Sequence, residues 1–166
     1  MSEASSKLCD DASLIKKAAS FLAKRSYSKE ELRQKLARYA VDASVEAVLA
    51  RLEQLNLLND GDYAYNFALC RIKQHGWSSR KIEYALIEKG VSASIVESAL
   101  ERAHAELGED AILHAEIKKY CGRKGVPRDS KSFGKLRSRL RQRGFDDDNI
   151  VNAMHTLFPD VTETGE

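Results

Sequence analysis

The chain is poor in the residues that interrupt helices, with two prolines and nine glycines in 166 residues. Long helices are therefore permitted along most of its length. It also lacks long apolar runs. Because no window approaches the roughly 18 consecutive apolar residues of a membrane span, the sequence argues against one. The polar N-terminal residues contain no apolar segment of a secretory signal, and we expect a polar tail there.

Cysteine is scarce, and its spacing suggests no cross-link. Cys9, Cys70 and Cys121 are odd in number, and none belongs to a Cys-x-x-Cys pair. This argues against a disulfide framework or a zinc knuckle. We expect a reducing, cytoplasmic location. Cys70 and Cys121 fall on apolar stripes, so both are predicted to be core thiols.

Catalytic motifs are missing as well. The four histidines have no metal-ligand spacing, and the chain contains no nucleophile-elbow, Walker-type or zinc-protease motif. Asp146, Asp147 and Asp148 resemble a metal-binding cluster, but they fall where a helix should begin, and acidic residues are favourable there. We predict that the protein is not an enzyme and needs no metal or cofactor.

Apolar residues make up 43% of the chain and recur at helical spacing. The pattern Ser28-x-x-Glu31 is typical of a capping box at a helix start. Ser78 is placed to cap a later helix, and Gly90 and Gly144 are typical helix stops. No segment shows the alternation of a β-strand, so the fold class is predicted to be all-α.

The pattern repeats at an interval of about 50 residues, which indicates a helical array. Equivalent apolar residues mark the second and third helices of each repeat: Leu32 and Val45, Ile82 and Ile95, Leu136 and Ile150. They are separated by 13, 13 and 14 residues. The predicted ranges are 1–11 for a flexible N-terminal tail, 12–60, 61–109 and 110–158 for the three-helix repeats, and 159–166 for an acidic C-terminal tail.

The net charge of +2 hides an uneven distribution. Residues 111–145 carry eleven Lys or Arg but only two acids, a local charge of +9, so the remainder carries −7. A single basic end suggests a polyanionic partner. The eleven candidate binding residues are Lys118, Lys119, Arg123, Lys124, Arg128, Lys131, Lys135, Arg137, Arg139, Arg141 and Arg143.

The predicted helix over 131–143 carries the sharpest signal. Its apolar residues Phe133, Leu136 and Leu140 fill one sector, and cations fill most of the rest without an acid. A plain solvated helix usually interleaves acids for i,i+4 pairs. We favour contact with DNA phosphate or an acidic protein face, with a solubility surface as the alternative.

Three central cations are further candidates for partner contact: Arg71, Arg80 and Lys81. Each alone is more often a solvated charge. Trp77 could stack on a nucleic-acid base. It occupies the repeat position of Tyr27 at the turn before a helix, however, so a half-buried packing role is favoured.

The chain resembles the RecX family, whose members regulate the RecA recombinase. The motifs that carry the resemblance are Leu58-Asn59-Asp60, Tyr63-Ala64, Phe67, Arg71, Gly76-Trp77-Ser78, Ile82-x-x-x-Leu86 and Lys89-Gly90-Val91, with Ser28-x-x-Glu31-Leu32-Arg33-x-Lys35-Leu36 before them and Arg143-Gly144-Phe145 after. The resemblance covers roughly residues 12–158. Two residues depart from the family pattern: Asn56 where glycine is frequent, and Ser79 where proline is common.

The resemblance implies three tandem three-helix, helix-turn-helix-like repeats in an elongated, curved array. It also implies binding in the groove or at the growing end of the RecA–single-stranded DNA filament. Filament extension, strand exchange, ATP hydrolysis and co-protease activity would then fall. We expect a monomer that binds single-stranded DNA weakly.

Two other functions remain open. The protein could bind DNA directly through the basic third repeat without RecA, because three-helix units can present a helix to the major groove. Its charge is spread along a helix and loop, which suits phosphate tracking better than base reading. A passive helical scaffold is the third possibility.

Overall fold

The computed structural model describes residues 11–158, and this part of the chain contains nine α-helices and no β-strand. The helices are α1 (Asp11–Leu22), α2 (Lys29–Leu36), α3 (Asp42–Gln54), α4 (Asp60–Cys70), α5 (Ser79–Glu88), α6 (Ala93–Leu107), α7 (Glu109–Lys124), α8 (Ser130–Gln142) and α9 (Asp147–Leu157). A π-helical turn, Arg71–His75, extends α4 and ends at Gly76. The prediction of an all-α array of three-helix units is confirmed.

Helices α1, α4 and α7 each begin one residue before the predicted repeat starts at 12, 61 and 110. The division into domains stays a prediction. Apart from Asp11, the two predicted tails lie outside the described residues. Within those residues, every helix is too short or too polar to cross a membrane.

Two separate hydrophobic clusters form the core of the described residues. One belongs to α1, α2 and α3 and includes Tyr27 and Leu58. The other runs without a break through α4 to α9. Six of the predicted inward residues of the three second helices are buried, whereas the other two, Ala85 and Phe133, are half-buried. The buried six are Leu32, Leu36, Ile82, Leu86, Leu136 and Leu140. The second and third units therefore share one core, whereas the first unit has its own.

The prediction that Cys70 of α4 is a core thiol is wrong, because another face of the helix is buried. Ala64 and Ala68 are its buried residues, whereas Tyr63 and Phe67 are half-buried. Small side chains let α4 and α6 pack closely, and the Phe67 ring lies beside the rings of Tyr63 and Trp77 instead. Cys70 is exposed, because it lies away from the line of residues four apart that this helix buries.

The equivalent apolar position in α6 also needs correction. Val96 is buried with Ala99 and Ala103, and Ile95 is only half-buried at the edge of this stripe. Counting from Ile82 to Val96 gives 14 residues, the same interval as in the third unit. The second and third units therefore agree in this spacing.

The second helices of neighbouring units meet end to end. Ser28 caps α2, and its Oγ donates to the carbonyl oxygen of Lys89 at the end of α5, at 2.6 Å. Ser78 caps α5, and its backbone N–H donates to the carbonyl oxygen of Arg143 at the end of α8, at 3.0 Å. Both serines are buried. Each junction therefore covers the start of one helix with the end of its counterpart in the next unit.

Both junctions require glycine. Gly90 and Gly144 have φ angles of 76° and 92°, in the left-handed region. A Cβ on Gly144 would lie 2.5 Å from Ser78 Oγ, and one on Gly90 would lie 2.4 Å from the Cβ of Glu30. The predicted helix stops thus also permit the close approach of the preceding unit.

The two departures from the family pattern fit their turns. Asn56 has a φ of 53° and is the one non-glycine residue with positive φ within residues 11–158. Asparagine tolerates this region better than most residues. Ser79 is the first residue of α5, a position at which proline is favoured but not required.

The junction between the first and second units is polar. Lys89 Nζ donates to Glu31 Oε1 at 2.8 Å, and the hydroxyl of Tyr63 donates to Glu31 Oε2 at 3.1 Å. Lys29 N–H donates to Asp60 Oδ1 at 2.8 Å. Burial by itself raises the pKa of Glu31, but the hydrogen bonds from Lys89 and Ser28 outweigh it and hold the pKa below its usual value. Glu31 is therefore the central group of this junction.

We expect the substitution Glu31→Gln to reduce the free energy of unfolding by roughly 1–2 kcal/mol at neutral pH, through loss of charged hydrogen bonds. Because the folded pKa of Glu31 is lowered, its stabilisation is present above the unfolded pKa of roughly 4.3 and is lost as the pH falls through the folded value. Thermal unfolding from pH 7 to pH 3 checks this. The two proteins should converge at low pH, and a constant difference across the range would contradict the assignment.

Candidate polyanion-binding surface

One exposed row of cations lies along the outer side of α8. Lys131, Lys135 and Arg139 are four residues apart, so they lie on one face at intervals of about 6 Å. All three are exposed, and no salt bridge joins them to another described side chain. We call these three residues the α8 stripe. Its charges face solvent and are available to a ligand.

The apolar side of α8 explains why the stripe is exposed. Leu136 and Leu140 are fully buried and fix the rotation of the helix, and the N-cap Asp129 accepts from Ser132 N–H at 2.8 Å. That hydrogen bond comes first among the causes that lower the pKa of Asp129. Asp129 is therefore an acid already engaged by its own helix.

Two other cations of α8, which were also predicted to bind a partner, face α9 instead. Arg137 Nε lies 2.9 Å from Asp147 Oδ1, and Arg141 Nη1 lies 3.6 Å from Asp147 Oδ2. The hydrogen bond from Arg137 lowers the pKa of Asp147. Asp146 caps α9 by accepting from the N–H of Asp148, and the described side chains include no group of acids, histidines and cysteines that could hold a metal ion. The acidic cluster thus starts α9 and pairs with α8.

The side chain of Arg143 is largely buried and is not available to a ligand. Its guanidinium pairs with Glu116, and the two side chains are only 17% and 8% exposed. Glu116 also lies 3.7 Å from Lys119 and packs against Gly76, where a Cβ would clash with it. Burial lowers the pKa of Arg143. The sequence placed Arg143 among the binding residues, whereas the structure places it inside the third unit, beside the junction with the second.

The remaining basic residues of the third unit lie at the end of α7 and in the following loop. Lys118, Arg123, Lys124 and Arg128 are exposed and form no salt bridge with a described side chain. Lys119 is exposed, but its ammonium group lies 3.7 Å from the Glu116 carboxylate and is therefore paired. The third unit therefore presents two groups of free cations, one on α8 and one around the α7–α8 loop.

The central candidates belong to a different environment. Arg71 lies over the rings of Phe67 and Trp77, at 4.8 and 4.9 Å. Lys81 lies 4.7 Å from the Trp77 ring centre and donates to the carbonyl oxygen of Gln142 at 2.6 Å. Trp77 is half-buried against the core. Arg71 thus packs within the second unit, and Lys81 joins the second unit to the third. Among the three cations, Arg80 is the exposed one.

The sequence-based predictions did not include the buried role of Glu116 or the exposed apolar face of α5. Glu116 is one of only two acids in the basic segment, and this isolation was a usable signal for a buried partner. Tyr84 and Ile87 are 63% and 45% exposed. Because both are apolar residues at outward positions of the repeat, their exposure could also have been predicted from the sequence.

The fold and this surface define a class: a helical-repeat protein whose third unit exposes a row of unpaired cations. A family profile described as the second three-helix domain of RecX matches residues 59–100. The chain is 34% identical over 150 residues to the regulatory protein RecX of Prosthecochloris aestuarii and 30% identical over 150 residues to that of Chlorobium phaeobacteroides. Each alignment covers 90% of this chain and 96% of the relative.

The helical array also has the fold of a solved RecX structure. The crystal structure of RecX from Lactobacillus salivarius superposes with a TM-score of 0.75 at 20% identity, and the match covers 89% of this chain and 96% of that one. The chain belongs to the RecX family of regulatory proteins.

Proposed function

We propose that this protein is a regulator, mainly an inhibitor, of RecA. It binds the RecA–single-stranded DNA filament in the cytoplasm and blocks filament extension, and with it the recombinase, ATPase and co-protease activities. The observation that supports this most is the α8 stripe, because three unpaired cations in a row suit a phosphate backbone or an acidic protein surface. In this proposal the protein acts by binding as a monomer and catalyses no reaction.

The array itself supports a preference for assembled filaments. Neighbouring helices pack about 8–10 Å apart, so nine helices in succession can reach several tens of Å. A chain that touches two protomers gains affinity only when those protomers are assembled, because the second contact becomes intramolecular. Weak binding to free single-stranded DNA is compatible with this preference.

The test is the ATPase activity of RecA filaments on single-stranded DNA with increasing amounts of this protein. We expect strong inhibition at molar ratios well below one molecule per RecA protomer, because a blocked growing end affects many protomers. The alternative is a direct DNA-binding protein that uses the basic third unit without RecA. Unchanged ATPase activity together with tight binding to duplex DNA would favour that alternative.

A further inference from the structure

Two large apolar side chains project from one face of α5. Tyr84 and Ile87 are three residues apart and therefore neighbours on the helix surface. Tyr84 is 63% exposed and Ile87 is 45% exposed. Single exposed apolar residues are ordinary on protein surfaces, but adjacent ones next to a cleft mark a contact surface more often.

The repeat shows that the fold does not require apolar residues here. The same outward positions are Gln34 in α2 and Ala37 directly after it, and Ser138 and Arg141 in α8. Those second helices bury their equivalent core residues without large apolar side chains outside. The apolar character of Tyr84 and Ile87 is thus particular to the middle unit.

A cleft of about 370 Å³ lies beside Tyr84, between α5 and the turn from α8 to α9. Arg80, Lys81 and Arg141 line it, together with Asp146 and Asp147. Arg80 is exposed, lies 6.0 Å from the Tyr84 ring centre and has no salt bridge to a described side chain. Both acids of the cleft are already engaged, Asp147 by two arginines and Asp146 as the N-cap of α9. The cleft therefore favours an acidic ligand at its Arg80 end.

The face changes character along the helix. Arg80 lies at the N-terminal end of α5, Tyr84 and Ile87 follow, and the exposed acids Glu83 and Glu88 flank these two apolar residues. A nucleic acid laid along this face would bring phosphates against Glu88 as well as Arg80, and Ile87 offers no ring for base stacking. A protein segment needs to place its acid only at the Arg80 end. A protein partner is therefore favoured over a nucleic acid.

We propose that Arg80, Tyr84 and Ile87 form a second contact surface, which takes an acidic protein segment carrying an exposed apolar side chain. This inference rests on the proposed function and refines it. The α5 face contacts the protein component of the filament, and the α8 stripe contacts phosphate. The two contacts lie on different units, so they can be removed separately.

The test compares the double variant Tyr84→Ser/Ile87→Ser with the matched control Val41→Ser/Leu57→Ser. Val41 and Leu57 are also exposed, at 55% and 57%, but belong to the first unit. Binding to RecA filaments on oligo-dT is measured by sedimentation, and binding to free oligo-dT by fluorescence anisotropy. We expect the α5 variant to bind filaments about 10- to 100-fold more weakly, with unchanged binding to oligo-dT. The control should match the parent in both assays.

Three results would overturn the proposal. They are unchanged filament binding by the α5 variant, an equal loss on free oligo-dT, or an equal loss in the control. Circular dichroism and the melting temperature verify that the variants fold. If the parent protein itself neither binds nor inhibits RecA filaments, the proposed function is wrong. The proposal that the α5 face contacts the filament protein is then wrong as well.

Discussion

Neutralising the α8 stripe with Lys131→Gln, Lys135→Gln and Arg139→Gln is expected to weaken binding to single-stranded DNA by about 100-fold at about 0.1 M salt. Each phosphate contact contributes about 0.7 to the slope of log affinity against log salt, so three contacts contribute about 2. The slope should therefore become shallower by about 2. Anisotropy titrations of labelled oligo-dT at several salt concentrations measure both quantities.

The matched control removes the same charge elsewhere. Lys16, Lys24 and Arg38 are exposed cations of the first unit without a salt bridge to a described side chain. Their replacement by glutamine lowers the net charge equally but leaves the stripe intact. A similar loss in both triple variants would show that overall charge, rather than the stripe, determines binding.

The same pair of variants separates DNA contact from filament contact. If the stripe meets phosphate inside the filament, the α8 variant should lose inhibition of the RecA ATPase in parallel with DNA binding. If the α8 variant still inhibits the RecA ATPase, the α8 stripe is not part of the surface that contacts the filament.

The second large effect concerns Arg143, which the structure removes from the exposed surface. We expect Arg143→Met to reduce the free energy of unfolding by about 3 kcal/mol, because the buried Glu116 carboxylate loses its buried partner and keeps only the exposed Lys119, 3.7 Å away. For a chain of this size the melting temperature should fall by roughly 6–12 °C. Thermal and urea unfolding, followed by circular dichroism, measure the loss.

Arg141→Met is the matched control for this substitution. Arg141 lies two residues away, and its side chain is 64% exposed beside Asp147, so its loss should change the free energy of unfolding by less than about 1 kcal/mol. The double variant Arg143→Met/Glu116→Met should recover at least half of the loss, since both charges are then absent. Equal stability of the two arginine variants would contradict the buried pair.

Local features of the fold were predictable because each depends on neighbouring residues in the sequence. The capping box at Ser28, the cap at Ser78 and the helix stops at Gly90 and Gly144 follow from backbone hydrogen bonding and φ preferences. The inward residues of the second helices follow from helical spacing. Helix order and type could therefore be predicted from the sequence.

Contacts between helices were harder to predict. A helical wheel identifies a buried sector, but it does not show which neighbouring helix covers the edges of that sector. Cys70 and Ile95 lay near such edges, and their burial was overestimated. The cations posed the same problem, since the pairing of Arg143 with Glu116 joins α8 to α7. Charge counting could not distinguish Arg143 from the exposed Arg139.

The end-to-end arrangement of α2, α5 and α8 has an electrostatic consequence for the whole molecule. At each junction the partly negative C-terminal end of one helix meets the partly positive N-terminal end of another, so these two pairs of helix ends neutralise each other. Two ends remain unmatched by a second helix: the C-terminus of α2 and the N-terminus of α8. At the N-terminus of α8 the carboxylate of the N-cap Asp129 takes the place of a second helix and offsets the partial positive charge. The field that turns the third unit toward an approaching polyanion therefore comes from its exposed side-chain cations, and electrostatic steering of this kind raises association rates most at low ionic strength.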